Sequence, residues 1–317
     1  MASFQAQVSK LMTFNKLSAA VLAVSVMVSV GGASAKDAST HAGRARVYEA
    51  LKDNSLERVT TADALATELG LPNVAPTRIW KLLEHGEKVE CLDCISTVSK
   101  LLYDSHPKTR EISAWWLRRR IFGVFGPGQI YSQILSTATD QSRSETQRSY
   151  AVNALGEFLD SAGIKPVATA LSADGSAKVR LAAVNALLRL NNEGPNGELG
   201  QALYDEDESV RLAALHASTS VNVFSDTDSL LERFTDDSAA VRRRAAEVVG
   251  TMRLADAVMG LIRLASEDLE PSAEVRGAAV WALGQIANPA AKAAVQAASK
   301  DSSTHVQNSA RIALRRL

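Results

Sequence analysis

The sequence predicts an all-α protein, a right-handed α-solenoid of about seven two-helix repeats behind an N-terminal helical cap. Three observations support this fold class. One phrase, an aspartate followed by Val-Arg and a run rich in alanine and leucine, recurs through the C-terminal two thirds of the 317-residue chain. Aromatic residues make up only 5% of the chain, which disfavours β-sandwiches. Alanine, the strongest helix former, is abundant throughout the sequence.

Residues 1–35 have the pattern of a secretory signal peptide. Two lysines precede an uncharged apolar run over residues 17–30, and the small residues Ala33-Ser34-Ala35 follow it. The run is too short to span a bilayer comfortably, so we expect cleavage before Lys36 and no integral membrane segment afterwards. An uncleaved anchor is the alternative. The pattern predicts export across the inner membrane of a bacterium, to the periplasm or cell envelope.

Residues 36–75 are predicted to be a leader followed by N-terminal capping helices. Helical patterns lie at about residues 44–52 and 60–69. Thr60 and Asp63 are spaced as a capping box that would open the second of these helices. We expect these helices to cover the exposed end of the solenoid.

Residues 76–317 are predicted to form the solenoid itself, opened by a helix that begins at Pro76 and stops at Gly86. The recurring phrase appears in seven copies, and an apolar stretch at helical spacing precedes each aspartate. Each copy is therefore a two-helix unit. One such pair cannot bury its apolar face alone, so neighbouring units must stack into a continuous core.

An aspartate and an arginine at fixed places in each repeat are predicted to be structural, with ligand binding as the alternative. The aspartate can cap the second helix or accept hydrogen bonds from an arginine of the adjacent unit, which makes a ladder between repeats. Gln307 replaces the arginine in the last copy, as expected where no further repeat pairs with it. In the copies at Asp140 and Asp268 the aspartate-to-arginine step is eight residues instead of six, which we attribute to an inserted loop. The predicted ladder residues are Asp104, Arg110, Asp140, Arg148, Asp174, Arg180, Asp205, Arg211, Asp236, Arg242, Asp268, Arg276 and Asp301.

Through these aspartate, Val-Arg and Ala-Ala-x-x-Leu positions, the chain resembles the HEAT-like repeat family, in the short form seen in phycobilisome-lyase-type repeats. The resemblance covers about residues 104–317 and implies an α-solenoid, but it implies little about activity. Relatives of this repeat type attach bilins to phycobiliproteins, or hydroxylate a modified lysine with a di-iron centre. A lyase-type or metal- or thiol-dependent enzyme is therefore the alternative function. The hydroxylases resemble HEAT arrays with His-Glu dipeptides as iron ligands, and this sequence contains no such dipeptide.

Cys91 and Cys94 form a CxxC motif at the predicted start of a helix. In an exported chain a structural disulfide is favoured, and a metal site, a redox pair or free thiols are the alternatives. Zinc would need two further ligands, for which only His85 and His106 are nearby. No cofactor is predicted.

One helix and the loop after it form a candidate binding patch, because Trp and Arg are the usual hot-spot residues of interfaces. Adjacent tryptophans on a helix cannot both face one core, so at least one should lie toward a groove or the surface. The alternative is that both pack under the long loop. The patch consists of Trp115, Trp116, Arg118, Arg119, Arg120, Phe122 and Phe125.

Charge and motif content narrow the function. The chain has 35 basic and 35 acidic residues, so no overall basic field exists to recruit nucleic acid. No nucleophile with a base at useful spacing and no Gly-rich phosphate loop is visible in the sequence. We therefore expect a non-catalytic, monomeric scaffold that binds a partner protein on a concave surface lined by the second helices.

Overall fold

The computed structural model describes residues 56, 59–121, 128–190, 196–221 and 224–317, which all lie in one compact unit. The predicted signal peptide and the helical pattern at residues 44–52 fall outside this part of the chain. The described residues form sixteen α-helices and no strand, which confirms the all-α solenoid. The helices are α1 (Ala62–Leu69), α2 (Pro76–His85), α3 (Cys94–Leu101), α4 (Pro107–Ile121), α5 (Gln129–Thr139), α6 (Glu145–Phe158), α7 (Ile164–Ala173), α8 (Ala177–Arg189), α9 (Asn196–Ala202), α10 (Glu208–Ser218), α11 (Thr227–Glu232), α12 (Ala239–Met252), α13 (Val258–Leu264), α14 (Ala273–Ile286), α15 (Lys292–Ala298) and α16 (Thr304–Ala313).

Consecutive helices pack in pairs, from α1 with α2 to α15 with α16. The seven pairs from α3 onward carry the repeated phrase, and α1 with α2 forms one more pair ahead of them. Helix α2 packs against α4 as each later second helix packs against the next. The predicted domain boundary after residue 75 therefore falls inside a helical pair. None of these helices is long and apolar enough to cross a membrane.

The helix ends show where the capping prediction needs correction. Helix α1 is capped by Thr61, whose hydroxyl accepts a hydrogen bond from the backbone N–H of Ala64 at 3.3 Å. The predicted capping box of Thr60 with Asp63 is wrong, because the N-cap is Thr61 and Ala64 stands three residues after it, where a capping box needs Glu or Gln. Pro76 is the first residue of α2 and Gly86 follows its last, as predicted.

The second helices approach one another closely, because glycine meets alanine between neighbouring units. A Cβ placed on Gly156 would lie 2.7 Å from the Cβ of Ala186, and one on Gly284 would lie 2.7 Å from the Cβ of Ala313. The first helices are six to eleven residues long and make fewer contacts between units than the second helices, of ten to fifteen residues. The second helices therefore form the more closely packed side of the stack.

Candidate interaction surface

A ladder of ion pairs holds the units at a fixed spacing. The Nε and Nη2 atoms of Arg276 donate to the two carboxylate oxygens of Asp301, in the next unit, at 2.7 and 2.8 Å. Its Nη1 atom donates to the backbone carbonyl of Glu270, in its own unit, at 2.9 Å. Only 5% of the Arg276 side chain and 2% of the Asp301 side chain are exposed. Five such pairs, with nitrogen–oxygen distances of 2.7–2.9 Å, follow one another: Arg148–Asp174, Arg180–Asp205, Arg211–Asp236, Arg242–Glu270 and Arg276–Asp301.

Each acidic ladder residue also helps to start the second helix of its own unit. The Oδ1 atom of Asp301 accepts the backbone N–H of Ser303, the N-cap residue of α16, at 2.8 Å. The hydrogen bonds from Arg276 hold the pKa of Asp301 below its usual range, against the opposing effect of burial. The same hydrogen bonds raise the pKa of Arg276. The acid therefore accepts hydrogen bonds from the arginine of the adjacent unit, as predicted, but it is not the N-cap itself, because that position belongs to Ser303.

One predicted ladder residue, Asp268, is wrong. Glu270 occupies its place, and its carboxylate oxygens accept hydrogen bonds from the Nε and Nη2 atoms of Arg242 at 2.7 and 2.8 Å. Asp268 is exposed. In every rung except that of Arg148, the ladder arginine also bonds the carbonyl of the residue six positions earlier, which is the acid of its own unit. Glu270 meets this spacing with Arg276, and no loop is inserted there.

The first predicted rung does not form. Arg110 donates to the carbonyl of Asp104 at 2.7 Å, as the other ladder arginines do within their units. Its guanidinium group, however, stacks over the ring of Tyr150, 3.9 Å from the ring centroid. Asp140 instead pairs with Arg143 at 3.4 Å, inside the eight-residue step that the sequence showed. The inserted loop is real in this unit and redirects the carboxylate.

Part of the predicted tryptophan–arginine patch faces the interior. Trp116 is fully buried, and the guanidinium of Arg120 stacks 3.6 Å from the centroid of its ring. Arg120 also donates to the carbonyls of Glu87 and Val89 at 2.8 and 3.1 Å, and burial lowers its pKa. These two residues fasten α4 to the segment between α2 and α3 and are not available to a partner.

The other members of that patch differ in accessibility. Trp115 and Arg118 are partly buried, whereas 62% of the Arg119 side chain is exposed while it pairs with Glu87. Phe122 and Phe125 lie outside the described residues. Trp115 packs against the core, so it stays a prediction that at least one tryptophan lies toward a groove or the surface.

The two cysteines are joined. The sulfur atoms of Cys91 and Cys94 lie 2.00 Å apart in a disulfide that closes the turn before α3. Both residues are buried, and α3 packs against α1. Within the described ranges, no three His, Cys, Asp or Glu side chains come together as a metal site would require.

The exposed stripe of the second helices forms a surface that we call the second-helix face. Each unit contributes one residue to the middle of this face, five positions after its ladder arginine or, in the last unit, after Gln307. We call these residues the fifth-position row. They are partly or fully exposed, and they comprise five residue types among seven units. The row consists of Trp115, Asn153, Asn185, His216, Glu247, Trp281 and Ile312.

The residue after each row member is buried, and in most units it is a small residue. The buried position therefore changes little from unit to unit, while the exposed position beside it varies. Alanine stands there in five of the seven units, for example at Ala186 and Ala313. The frame of the units therefore repeats while one exposed row varies. The row was not predicted as a set, although it can be found in the sequence by counting five residues from each ladder arginine or from Gln307.

A groove of about 420 Å³ crosses the N-terminal half of the second-helix face, over α4, α6 and α8. Tyr150, Asn153 and Asn185 line it. At its edge Arg189 pairs with Glu157 at 2.9 Å, and burial raises the pKa of that glutamate. Amide and aromatic side chains of this kind can hydrogen-bond and pack against a bound polypeptide.

Comparison with known proteins supports the fold. Residues 227–315 match the family model for HEAT repeats. Importin β aligns with 80% of this chain and 40% of its own length, at 16% identity and a TM-score of 0.55. YibA of Escherichia coli aligns over 85% of this chain and 99% of its own, at 16% identity and a TM-score of 0.51.

Human deoxyhypusine hydroxylase aligns over 83% of this chain and 96% of its own, at 22% identity and a TM-score of 0.35. No curated protein matches the chain in sequence. Residues 227–315 therefore carry HEAT repeats, and the chain has an α-solenoid fold similar to the folds of importin β and YibA.

Proposed function

We propose that this chain is a non-catalytic, monomeric scaffold that binds a partner protein on its second-helix face. The observation that carries the proposal is the fifth-position row, where side chains vary while the surrounding frame repeats. A solenoid offers such a row as an extended concave surface, and HEAT repeats commonly mediate protein interactions. The ladder arginines and aspartates contribute by holding the row members in register, not by contacting the partner.

Affinity capture from the native envelope fraction tests this proposal, with recombinant residues 36–317 as bait. We expect reproducible retention of a partner, which is then lost when row members such as Asn185 are replaced singly by arginine. Matched controls add the same charge to exposed positions of first helices, Thr169→Arg and Met259→Arg, and should retain the partner. Capture of nothing reproducible, or equal capture by every row variant, would contradict the proposal.

We also propose that the protein acts in the periplasm or cell envelope. The lysines, apolar run and small residues of positions 1–35 support export, and the Cys91–Cys94 disulfide suits an oxidising compartment. Fractionation followed by N-terminal mass analysis should find a chain that begins at Lys36 outside the cytoplasm. A full-length cytoplasmic chain with two free thiols would refute this part.

The enzymatic alternative has a direct test. Metal analysis and an absorbance spectrum of the purified protein should show neither stoichiometric metal nor pigment. Bound iron, zinc or a chromophore would overturn the non-catalytic part of the proposal.

A further inference from the structure

We infer that the groove over α4, α6 and α8 is a binding site for an aspartate or glutamate side chain of the partner protein, held by the guanidinium group of Arg110. This inference rests on the proposed function and names the chemistry that the partner brings to the second-helix face. Arg110 lines the groove of about 420 Å³ together with Tyr150, Asn153 and Asn185. We call it the Arg110 groove.

The ladder shows how a guanidinium group at this place in a unit binds a carboxylate. In each of the five rungs, the Nε and Nη2 atoms of the arginine lie 2.7–3.0 Å from the carboxylate oxygens of an acid in the next unit. That acid stands six residues before the arginine of its own unit, or before Gln307 in the last unit. Each rung is therefore a model of the proposed contact, because the planar fork of arginine matches two carboxylate oxygens.

Arg110 occupies the ladder position of the first repeated unit, but the acid that should meet it is missing. Ser142 stands six residues before Arg148, where every later rung has its acid. Asp140, the acid nearest to that position, pairs with Arg143 instead. Arg110 is therefore the ladder arginine that no acid of the next unit reaches in the described part of the chain.

The guanidinium group of Arg110 is held in place while two of its donors stay available. Its Nη1 atom donates to the carbonyls of Asp104 and Ser105 at 2.7 and 3.0 Å, and the group lies over the Tyr150 ring, 3.9 Å from the centroid. Within the described ranges its Nε and Nη2 atoms donate to no residue, and the side chain is partly exposed. A donor group that is already oriented loses little freedom when it binds a carboxylate.

The other charged residues that line the Arg110 groove already have partners. Glu157 pairs with Arg189 at 2.9 Å, and Glu111 pairs with Lys108 at 2.8 Å. The positive charge of Arg110 is thus the one that no ion pair offsets among the described residues of this groove. An acidic side chain is therefore complementary in charge to this site, whereas a basic one is repelled by it.

The neighbours of Arg110 favour an acid carried by a polypeptide. Asn153 and Asn185 are consecutive members of the fifth-position row and line the same groove. Their amide groups both donate and accept hydrogen bonds, as the peptide groups of a bound segment require. A segment that lies along the row thus places an acidic side chain within reach of Arg110.

Selection from a library of random peptides displayed on phage, with residues 36–317 as the target, tests the inference. We expect the enriched peptides to share an aspartate or glutamate. Fluorescence anisotropy then compares one such peptide with its counterpart that carries asparagine or glutamine instead. The exchange of acid for amide should weaken binding to the wild-type chain by about tenfold or more, because the charge-assisted hydrogen bonds to Arg110 are lost.

Variants of Arg110 show whether the acid binds there. Arg110→Lys keeps the charge but not the paired donors, so it should weaken binding of the acidic peptide by about tenfold. The acidic and amide peptides should bind Arg110→Ala equally. The matched control, Arg263→Ala, removes an exposed arginine from the first helix α13 and should bind the acidic peptide as the wild type does. Circular dichroism of each variant checks that the helices are retained.

Several outcomes would overturn the inference. These are no enrichment, enrichment of peptides that share no acid, or the same loss from the acid-to-amide exchange in Arg110→Ala as in the wild type. Free N-acetylaspartate that binds as tightly as the peptide would assign the Arg110 groove to a small acid instead. If capture of the partner is lost in Asn185→Arg but unchanged in Arg110→Ala, the proposed function stands and this inference fails.

Discussion

In each of the five rungs of the ladder, a single guanidinium group connects three points of the chain. Arg180 donates to both carboxylate oxygens of Asp205 at 2.8 and 2.9 Å and to the carbonyl of Asp174 at 3.0 Å. A buried charge of this kind is tolerated because its partner and its remaining donors are satisfied. The planar guanidinium makes this possible, since its donors point in several fixed directions.

Removing one partner of a buried rung should be costly. The Asp301→Ala variant leaves Arg276 uncompensated, which we expect to lower the free energy of unfolding by about 3–5 kcal/mol. Replacing both partners, Arg276→Met with Asp301→Leu, should restore most of this loss. Urea denaturation followed by circular dichroism measures the free energy of unfolding of each variant. The control is Glu274→Ala, at an exposed position, which should change stability by under about 0.5 kcal/mol. Equal losses in Asp301→Ala and Glu274→Ala would argue against the ladder.

Acid should weaken the stack through its ladder carboxylates. Hydrogen bonds from Arg276 lower the pKa of Asp301. Burial alone would raise the pKa of Glu270, but hydrogen bonds from Arg242 and from the backbone N–H of Ser272 outweigh it, so this pKa is also lowered. Their folded pKa values lie below unfolded values of about 3.9–4.3, so this stabilisation is complete above about pH 5. It is lost as the pH falls through about 4 toward 2. Melting temperatures across this range measure the effect, and a flat profile would contradict it.

At the scale of the helix, the close contact of second helices depends on missing side-chain volume. Gly284→Ala would place a Cβ 2.7 Å from that of Ala313, so α14 and α16 must separate. We expect a loss of about 1–3 kcal/mol in the free energy of unfolding. The same substitution at Gly197 of α9 should be neutral or slightly stabilising, because a Cβ placed there would meet no atom of a neighbouring element within 4 Å. Thermal denaturation of the two variants compares them, and similar melting temperatures would disprove the close-packing argument.

The disulfide belongs to the same scale, because it closes the turn that leads into α3. The double variant Cys91→Ala/Cys94→Ala should lose about 2 kcal/mol of stability, from the greater freedom of the unfolded chain. Alanine avoids placing a hydroxyl in this buried site. Partner capture by the variant should be unchanged. Lost capture at unchanged melting temperature would indicate a thiol-dependent role instead.

For the whole molecule, the main contacts of each unit in the described part of the chain are with its neighbours, so stability should be local. Hydrogen exchange measured by mass spectrometry should show faster exchange in α14 and α16 of the Asp301→Ala variant, with α6 and α8 unchanged. The wild-type chain is the reference. A uniform increase along the chain would mean that the stack unfolds as one cooperative body.

The sequence predicted the repeating units well and the surface poorly. Arg180 and Asp205 could be paired in advance, because every unit repeats the same local geometry around them. Asp268 was chosen wrongly over Glu270, because the sequence shows an acid near the required place but not which one the arginine can reach. Trp281 was missed, since nothing in its own helix marks it as more exposed than Trp116.

By itself the sequence determined the two-helix unit, the number of repeated units and the charged ladder between them. These features follow from periodicity. Apolar residues at helical spacing predict each helix, and the recurrence of one phrase predicts each further unit. Only the tertiary structure decided that Trp116 and Arg120 turn inward while Trp281 and Ile312 face outward. Which side of a helix is covered depends on how closely the next helix approaches, and that distance depends on side-chain volumes in two units at once.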